Sequence, residues 1–182
     1  MLELIERGQV FNSGATSISL TINPRGGNIV GRRMWYTSPG TGSIIVYRPR
    51  TKMLANAAVS ADTTLVVKTD ASGYVEGAVI STNDKVLVQN PTTGAWVLSA
   101  VSSVAAVSSS TVSLGLGTAV TCSAAQVVYL VRAADIVTLV TGTETKTDLD
   151  YWFIGMGREM PVHIVMAATG TNYLATTFDV ER

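Results

Sequence analysis

Valine, isoleucine and threonine fill 57 of the 182 positions of this chain. Branching at Cβ restricts χ1 in a helix and suits the pleated surface of a sheet, so a chain of this content is expected to be all-β. These residues are also grouped. Runs of strand length, Thr64-Leu65-Val66-Val67-Lys68, Lys85-Val86-Leu87-Val88-Gln89, Ala95-Trp96-Val97-Leu98, Thr111-Val112-Ser113-Leu114 and Gln126-Val127-Val128-Tyr129-Leu130-Val131, recur through the middle of the sequence. Between them lie Asp70-Ala71-Ser72-Gly73, Thr82-Asn83-Asp84, Asn90-Pro91-Thr92-Thr93-Gly94 and Gly115-Leu116-Gly117, which read as turns. Five short strands in this spacing predict a small barrel or sandwich. A helix over residues 101–110 is disfavoured by its Ser and Val content.

Charge divides the chain into three parts. Residues 1–53 carry seven basic and two acidic side chains, residues 135–182 carry three basic and seven acidic, and the stretch between is almost neutral. Both flanks also read as strands. Ser17-Ile18-Ser19-Leu20-Thr21-Ile22 alternates strictly, and Arg33-Met34-Trp35-Tyr36 and Ser43-Ile44-Ile45-Val46-Tyr47 surround a Gly- and Pro-containing turn in the manner of a hairpin. Tyr151-Trp152-Phe153-Ile154, Val162-His163-Ile164-Val165-Met166 and Tyr173-Leu174-Ala175-Thr176-Thr177-Phe178 repeat the pattern near the C-terminus. Opposite charges on neighbouring strands attract. The expected architecture is therefore a β-sandwich or barrel built from the N- and C-terminal strands, with a small β-barrel module inserted. In residue terms, 1–53 plus 135–182 form one discontinuous domain for docking and oligomerisation, and 54–134 form the insert.

Composition excludes several classes of protein. With 47% hydrophobic and 14% charged residues the chain is neither disordered nor a heavily solvated helical bundle. A formal net charge of zero argues against binding nucleic acid or a membrane surface through global charge, and leaves little repulsion between copies. Cys122, the single cysteine, has no internal disulfide partner. The segment Met1-Leu2-Glu3-Leu4-Ile5-Glu6-Arg7 places acids where a secretion signal needs positive charge, and the most apolar stretch, Ala124 to Val140, is broken by Gln126, Arg132 and Asp135. No export and no helical membrane span are expected.

Catalytic signatures are weak throughout. Gly26-Gly27-Asn28-Ile29-Val30-Gly31 has the glycine spacing of a phosphate loop, but Arg32-Arg33 stands where Gly-Lys-Ser/Thr is needed, so the segment reads as a turn. Gly115-Leu116-Gly117 lacks the third glycine of a dinucleotide fingerprint. His163, the only histidine, has no evident triad partner or companion metal ligand and reads as a structural or interface residue. Glu144, Asp148 and Asp150 form the best group of oxygen ligands, but without the spacing of a calcium loop they read as a solvated acidic edge. No metal, no cofactor and no catalytic residue are assigned, and the chain is expected not to be an enzyme.

The remaining signal is one of contact. Arg32, Arg33, Arg48 and Arg50 lie close in sequence to Trp35 and Tyr36, and arginine outnumbers lysine nine to four. Arginine with aromatic residues is what protein interfaces favour, whereas lysine is depleted there. The same composition occurs on nucleic-acid surfaces, but here the acidic C-terminal flank is available to neutralise it. The candidate interface residues are Arg32, Arg33, Trp35, Tyr36, Arg48 and Arg50, with Asp148, Asp150, Tyr151 and Trp152 from the acidic flank.

Several features together resemble a known group: the Met start without a leader, Ser/Thr/Ala/Val-rich runs such as Thr63-Thr64-Leu65-Val66-Val67, and the turn Asn90-Pro91-Thr92-Thr93-Gly94 before Ala95-Trp96-Val97. In texture the chain is similar to the virion structural proteins of tailed bacteriophages, and among them to the capsid decoration, or cement, proteins. The resemblance implies synthesis in the host cytoplasm, a place on the capsid exterior and binding to the lattice of the major capsid protein. It also implies self-association as a homotrimer and stabilisation of the shell without chemistry. A tail, baseplate or receptor-binding component that stacks sugars on Trp96, Tyr151 or Trp152 is the alternative.

Overall fold

The computed structural model describes residues 4–14, 16–23, 28–69, 74–75, 78–139, 153–154 and 160–181. Every regular element among them is a β-strand. In chain order these are β1 (Leu4–Gly14), β2 (Ser17–Ile22), β3 (Asn28–Thr37), β4 (Gly42–Leu54), β5 (Val59–Lys68), β6 (Tyr74–Val75) and β7 (Ala78–Val79). There follow β8 (Lys85–Gln89), β9 (Trp96–Ser108), β10 (Thr111–Cys122), β11 (Val127–Leu139), β12 (Phe153–Ile154), β13 (Val162–Ala168) and β14 (Asn172–Glu181). The chain is all-β, and it folds as two compact units, residues 1–48 with 133–182 and residues 49–132.

The strands of the first unit belong to two sheets, a four-stranded one ordered β1-β14-β3-β12 and an eight-stranded one whose order begins β2-β13-β4-β11. N- and C-terminal strands do pair, as the charge asymmetry suggested: β14 lies between β1 and β3, and β13 between β2 and β4. In the first sheet the register sets Arg7 opposite Asp179. Successive strands belong to different sheets, β1 to one and β2 to the other, then β3 and β4, then β12, β13 and β14. Two sets of four strands connected in this alternating way have the strand order of a jelly roll. The expected hairpin of residues 33–36 with 43–47 is therefore corrected, because β3 and β4 lie in different sheets and residues 38–41 carry the chain from one sheet to the other. A turn sequence specifies a reversal of direction, not whether the returning strand bonds its predecessor or faces it.

Period-two burial explains how the sheets meet. On β2, Ile18, Leu20 and Ile22 are buried while Ser17 and Ser19 are exposed, and on β13 the buried set includes Val162, Ile164 and Met166. These residues join Met34, Tyr36, Ile44, Val46, Leu174, Phe178 and Val180 in one core. On β3 the pattern changes phase. Arg33 pairs with Thr177 but Gly31 pairs with Phe178, so Arg32 is the extra residue of a bulge. Met34 and Tyr36 face inward on one side of the bulge and Ile29 on the other. The buried Thr176 hydroxyl donates to the Arg33 carbonyl at 3.0 Å, which satisfies main chain displaced there.

The second unit orders its strands β11-β8-β9-β10-β5. Ala55, just past β4, joins the two ends of that order. Its amide donates to the Gln126 carbonyl and its carbonyl accepts from the Ala125 amide, both at 2.9 Å, while on its other side it bridges Val67 and the Asn56 amide donates to the Val66 carbonyl. The sheet thus closes into a small barrel around Leu65, Val67, Val86, Val88, Val112, Leu114, Val128 and Leu130. Ala55 is fully buried at the joint. Two readings from sequence are corrected here. Gly115-Leu116-Gly117 lies within β10 and not in a turn; a Cβ on Gly115 would stand 2.4 Å from Ser103 Oγ, so the glycine admits the neighbouring strand's hydroxyls. Residues 101–108 belong to β9, which leaves no room for the helical alternative.

Candidate functional site

The arginine and aromatic residues singled out from sequence fall into different surroundings. Arg33 is exposed and Trp35 half-buried on the outer face of β3, two residues apart and so on the same side. Their register partners on β14 are Thr177 and Ala175, and the next pair along is Thr37 with Tyr173. Tyr173 is 45% exposed, one of the few large apolar side chains among the described residues that are. Arg33, Trp35 and Tyr173 thus share one sheet face, with small side chains between them. Sequence reasoning missed Tyr173 because nothing local marks it; only the β3–β14 register places it beside Trp35.

Others of the group lie elsewhere. Tyr36 points inward and is buried in the jelly-roll core. Arg32 is placed by its backbone at the β3 bulge, and Arg48 is half-buried on β4. Arg50 donates to Asp84 Oδ1 at 3.2 Å, and Asp84 Oδ2 accepts from the amide and hydroxyl of Ser81. That ion pair and turn occupy Arg50 within the second unit. Asp148, Asp150, Tyr151 and Trp152, together with Glu144, lie outside the described residues. Trp96, considered as a sugar-stacking residue, is half-buried and packs against Tyr129 with ring centroids 6.1 Å apart.

His163 has the most perturbed titratable group described. It is 1% exposed, with Nδ1 2.7 Å from Thr21 Oγ1 and Nε2 3.0 Å from Ser19 Oγ, and the Tyr47 ring lies 6.4 Å away. A neutral imidazole donates from one nitrogen and accepts at the other, and a hydroxyl can do either, so both contacts are satisfied without charge. Burial lowers its pKa to about 4. A base so weak cannot usefully deprotonate Ser19 near neutral pH. The arrangement is that of a structural histidine stitching β2 to β13.

Cys122 is buried, and burial raises its thiol pKa against a smaller opposing hydrogen bond from the Val59 backbone, so it is suppressed as a nucleophile. Among the described residues no group of three or more His, Cys, Asp or Glu side chains could hold a metal ion, and no helix is long and apolar enough to cross a membrane. What the described surface offers is sheet faces and sheet edges suited to contact.

No protein-family model matches the sequence, and no curated protein matches it. Among solved structures, the chain is similar to VP17, a capsid protein of bacteriophage P23-77, at 8% sequence identity and a TM-score of 0.27, over 100% of this chain and 99% of that chain. A likeness of that size does not establish a common fold.

Proposed function

We propose that this chain is a non-enzymatic structural protein of a bacteriophage particle, which works by binding other coat subunits. The observation that carries the reading is the strand order of the first unit, β1-β14-β3-β12 facing β2-β13-β4-β11. Jelly rolls serve as viral capsid modules and also as lectin and cupin scaffolds, and a fold does not by itself fix a function. Two further features favour the capsid use. The inward side chains include Ile18, Ile22, Met34, Ile164 and Met166, an apolar filling where a cupin would place its metal ligands. The composition, nearly neutral and rich in Ser, Thr, Ala and Val, resembles phage virion proteins.

In its finer form the proposal is a decoration protein on the capsid exterior. The first unit docks on the major capsid lattice, copies assemble as trimers, and Arg33 and Trp35 with Tyr173 form part of the docking face. Such a protein stabilises a shell by linkage, because it binds the assembled lattice better than the separated subunits. The jelly roll adds a second form, in which the chain is itself a lattice subunit. Imaging the native particle and counting copies distinguishes them: a decoration protein sits over subunits of another chain, whereas a lattice subunit makes the shell floor. A chain found in no particle, or found with enzymatic turnover, would overturn both. Low copy number at a tail tip with glycan binding would favour the receptor-binding alternative.

A further inference from the structure

The two units close around separate cores. Ile18, Met34, Ile164 and Leu174 belong to one, and every buried apolar residue grouped with them lies in residues 1–48 or 133–182. Leu65, Val86, Leu114 and Leu130 belong to the other, which lies wholly in residues 49–132. β4 and β11 give one end to each unit: residues 42–48 and 133–139 to the first, 49–54 and 127–132 to the second. Structures open in cooperative blocks that follow their packing, so the first unit can open by parting its own ends of these strands while the barrel keeps the others.

One ionisable side chain separates the two blocks in mild acid. His163 is the only histidine of the sequence, and histidine is the side chain that ordinarily titrates between about pH 5 and 8. It lies in the first unit, and residues 49–132 have none. On β13 it alternates with the core residues Val162 and Ile164, so it stands on the opposite face of that strand, yet it is almost wholly buried. Across the two ladders it faces Thr21 of β2 and Tyr47 of β4, with Ser19 at its second ring nitrogen. Of these groups only Tyr47 titrates, and burial raises its pKa, so it stays neutral in acid. The hydroxyls bond a neutral ring without supplying counter-charge, and burial lowers the pKa of His163 to about 4.

We propose that mild acid opens the first unit while the barrel stays closed, with His163 as the trigger. The closed unit holds the imidazole unprotonated. Once the unit opens, the ring meets water, regains its ordinary basicity and takes a proton, which must be lost again before the unit closes. With the closed-state value at about 4 and the open-state value at 6.5, the opening equilibrium rises roughly twentyfold between pH 7 and pH 5. Contacts that this chain makes through its first unit then weaken in acid, and contacts made through the barrel persist.

Hydrogen exchange on the full chain tests this, with each rate divided by that of the unstructured amide at the same pH. The amides of Leu20 and Ile164 report on the first unit, and those of Val86 and Leu114 on the second. From pH 7 to pH 5 the first pair should lose protection roughly twentyfold and the second pair should hold. In His163→Gln both pairs should hold. Equal losses in both pairs, no loss in the first, or a loss retained in His163→Gln each overturn the proposal. Titration of the native imidazole, followed through its carbon-bound protons, tests the trigger without any variant: a midpoint near 4 supports it, and one near 6.5 overturns it. The inference does not rest on the coat reading, because every outcome is read on the purified chain whether or not a particle contains it.

Discussion

Thr21 Oγ1 lies 2.7 Å from Nδ1 of His163, a hydrogen bond between strands 142 residues apart in sequence. With Ser19 on the other ring nitrogen, the imidazole is fully bonded while neutral, in a site that burial makes hostile to charge. In the unfolded chain this histidine titrates near its ordinary value of 6.5, and in the fold burial lowers its pKa to about 4. The unfolded state therefore binds the proton first as pH falls. Stability from this group is complete above pH 6.5, is lost as pH falls from 6.5 towards 4, and changes no further below that, for a total of roughly 3 kcal/mol. Urea unfolding at several pH values, compared between the native chain and His163→Gln, isolates the effect. The native chain should lose more stability than the variant over that interval, and parallel curves would refute the assignment.

Gly42 opens β4 where the chain enters the second sheet. A Cβ there would fall 2.0 Å from the Ala167 carbonyl oxygen and 2.6 Å from the Ala168 Cα, so main chain itself would have to move. Gly117 has nothing nearer than 3.8 Å. Gly42→Ala is expected to cost about 2 kcal/mol or more, and Gly117→Ala to stay within about 0.5 kcal/mol. Equal unfolding midpoints for the two variants would mean that β4 and β13 do not approach as closely as described.

The strand content was legible because β-branching and period-two alternation are local. Ser17–Ile22 shows this best, since each apolar residue of that run is buried and both serines are exposed. Pairing of the flanks was readable from their opposite charge, with Arg7 opposite Asp179 as one result. The sheet exchange between β3 and β4 was not, because it depends on β14 pairing with β3 and β13 with β4 from more than a hundred residues away. The bulge at Arg32 was equally hidden. It reverses which residues face inward, and only the pairing with Thr177 and Phe178 reveals it. The candidate surface suffered for the same reason: proximity in sequence grouped Tyr36 with Trp35, but one faces the core and the other the outer side.

Asp84 should matter more than the arginine it pairs with. Its carboxylate accepts from Arg50, from the Ser81 amide and from the Ser81 hydroxyl, and its side chain is 13% exposed against 30% for Arg50. Removing Arg50 leaves the turn bonds in place and costs a partly exposed ion pair, typically below about 1 kcal/mol. Removing Asp84 leaves the Ser81 amide without its acceptor, and Asp84→Ala is expected to cost roughly 1–2 kcal/mol. Thermal unfolding of the two single variants and the double variant gives the comparison. Arg50→Ala should be nearly silent in an Asp84→Ala background, because the ion pair is already gone.

Cys122 reports on the second unit from inside. It lies on β10 in register with Val59 of β5, 2% exposed, with its thiol pKa raised by burial. A thiol that is both covered and protonated reacts with an aromatic disulfide reagent only when the barrel opens. Labelling of the native protein near pH 7 should therefore be slow and should accelerate with denaturant in step with unfolding. Cutting the joint at Ala55 provides a control. Ala55→Pro removes the amide that bonds the Gln126 carbonyl, so it should raise the labelling rate at least tenfold without denaturant. An unchanged rate in that variant would show that the Ala55 joint does not guard the β5–β10 side of the barrel.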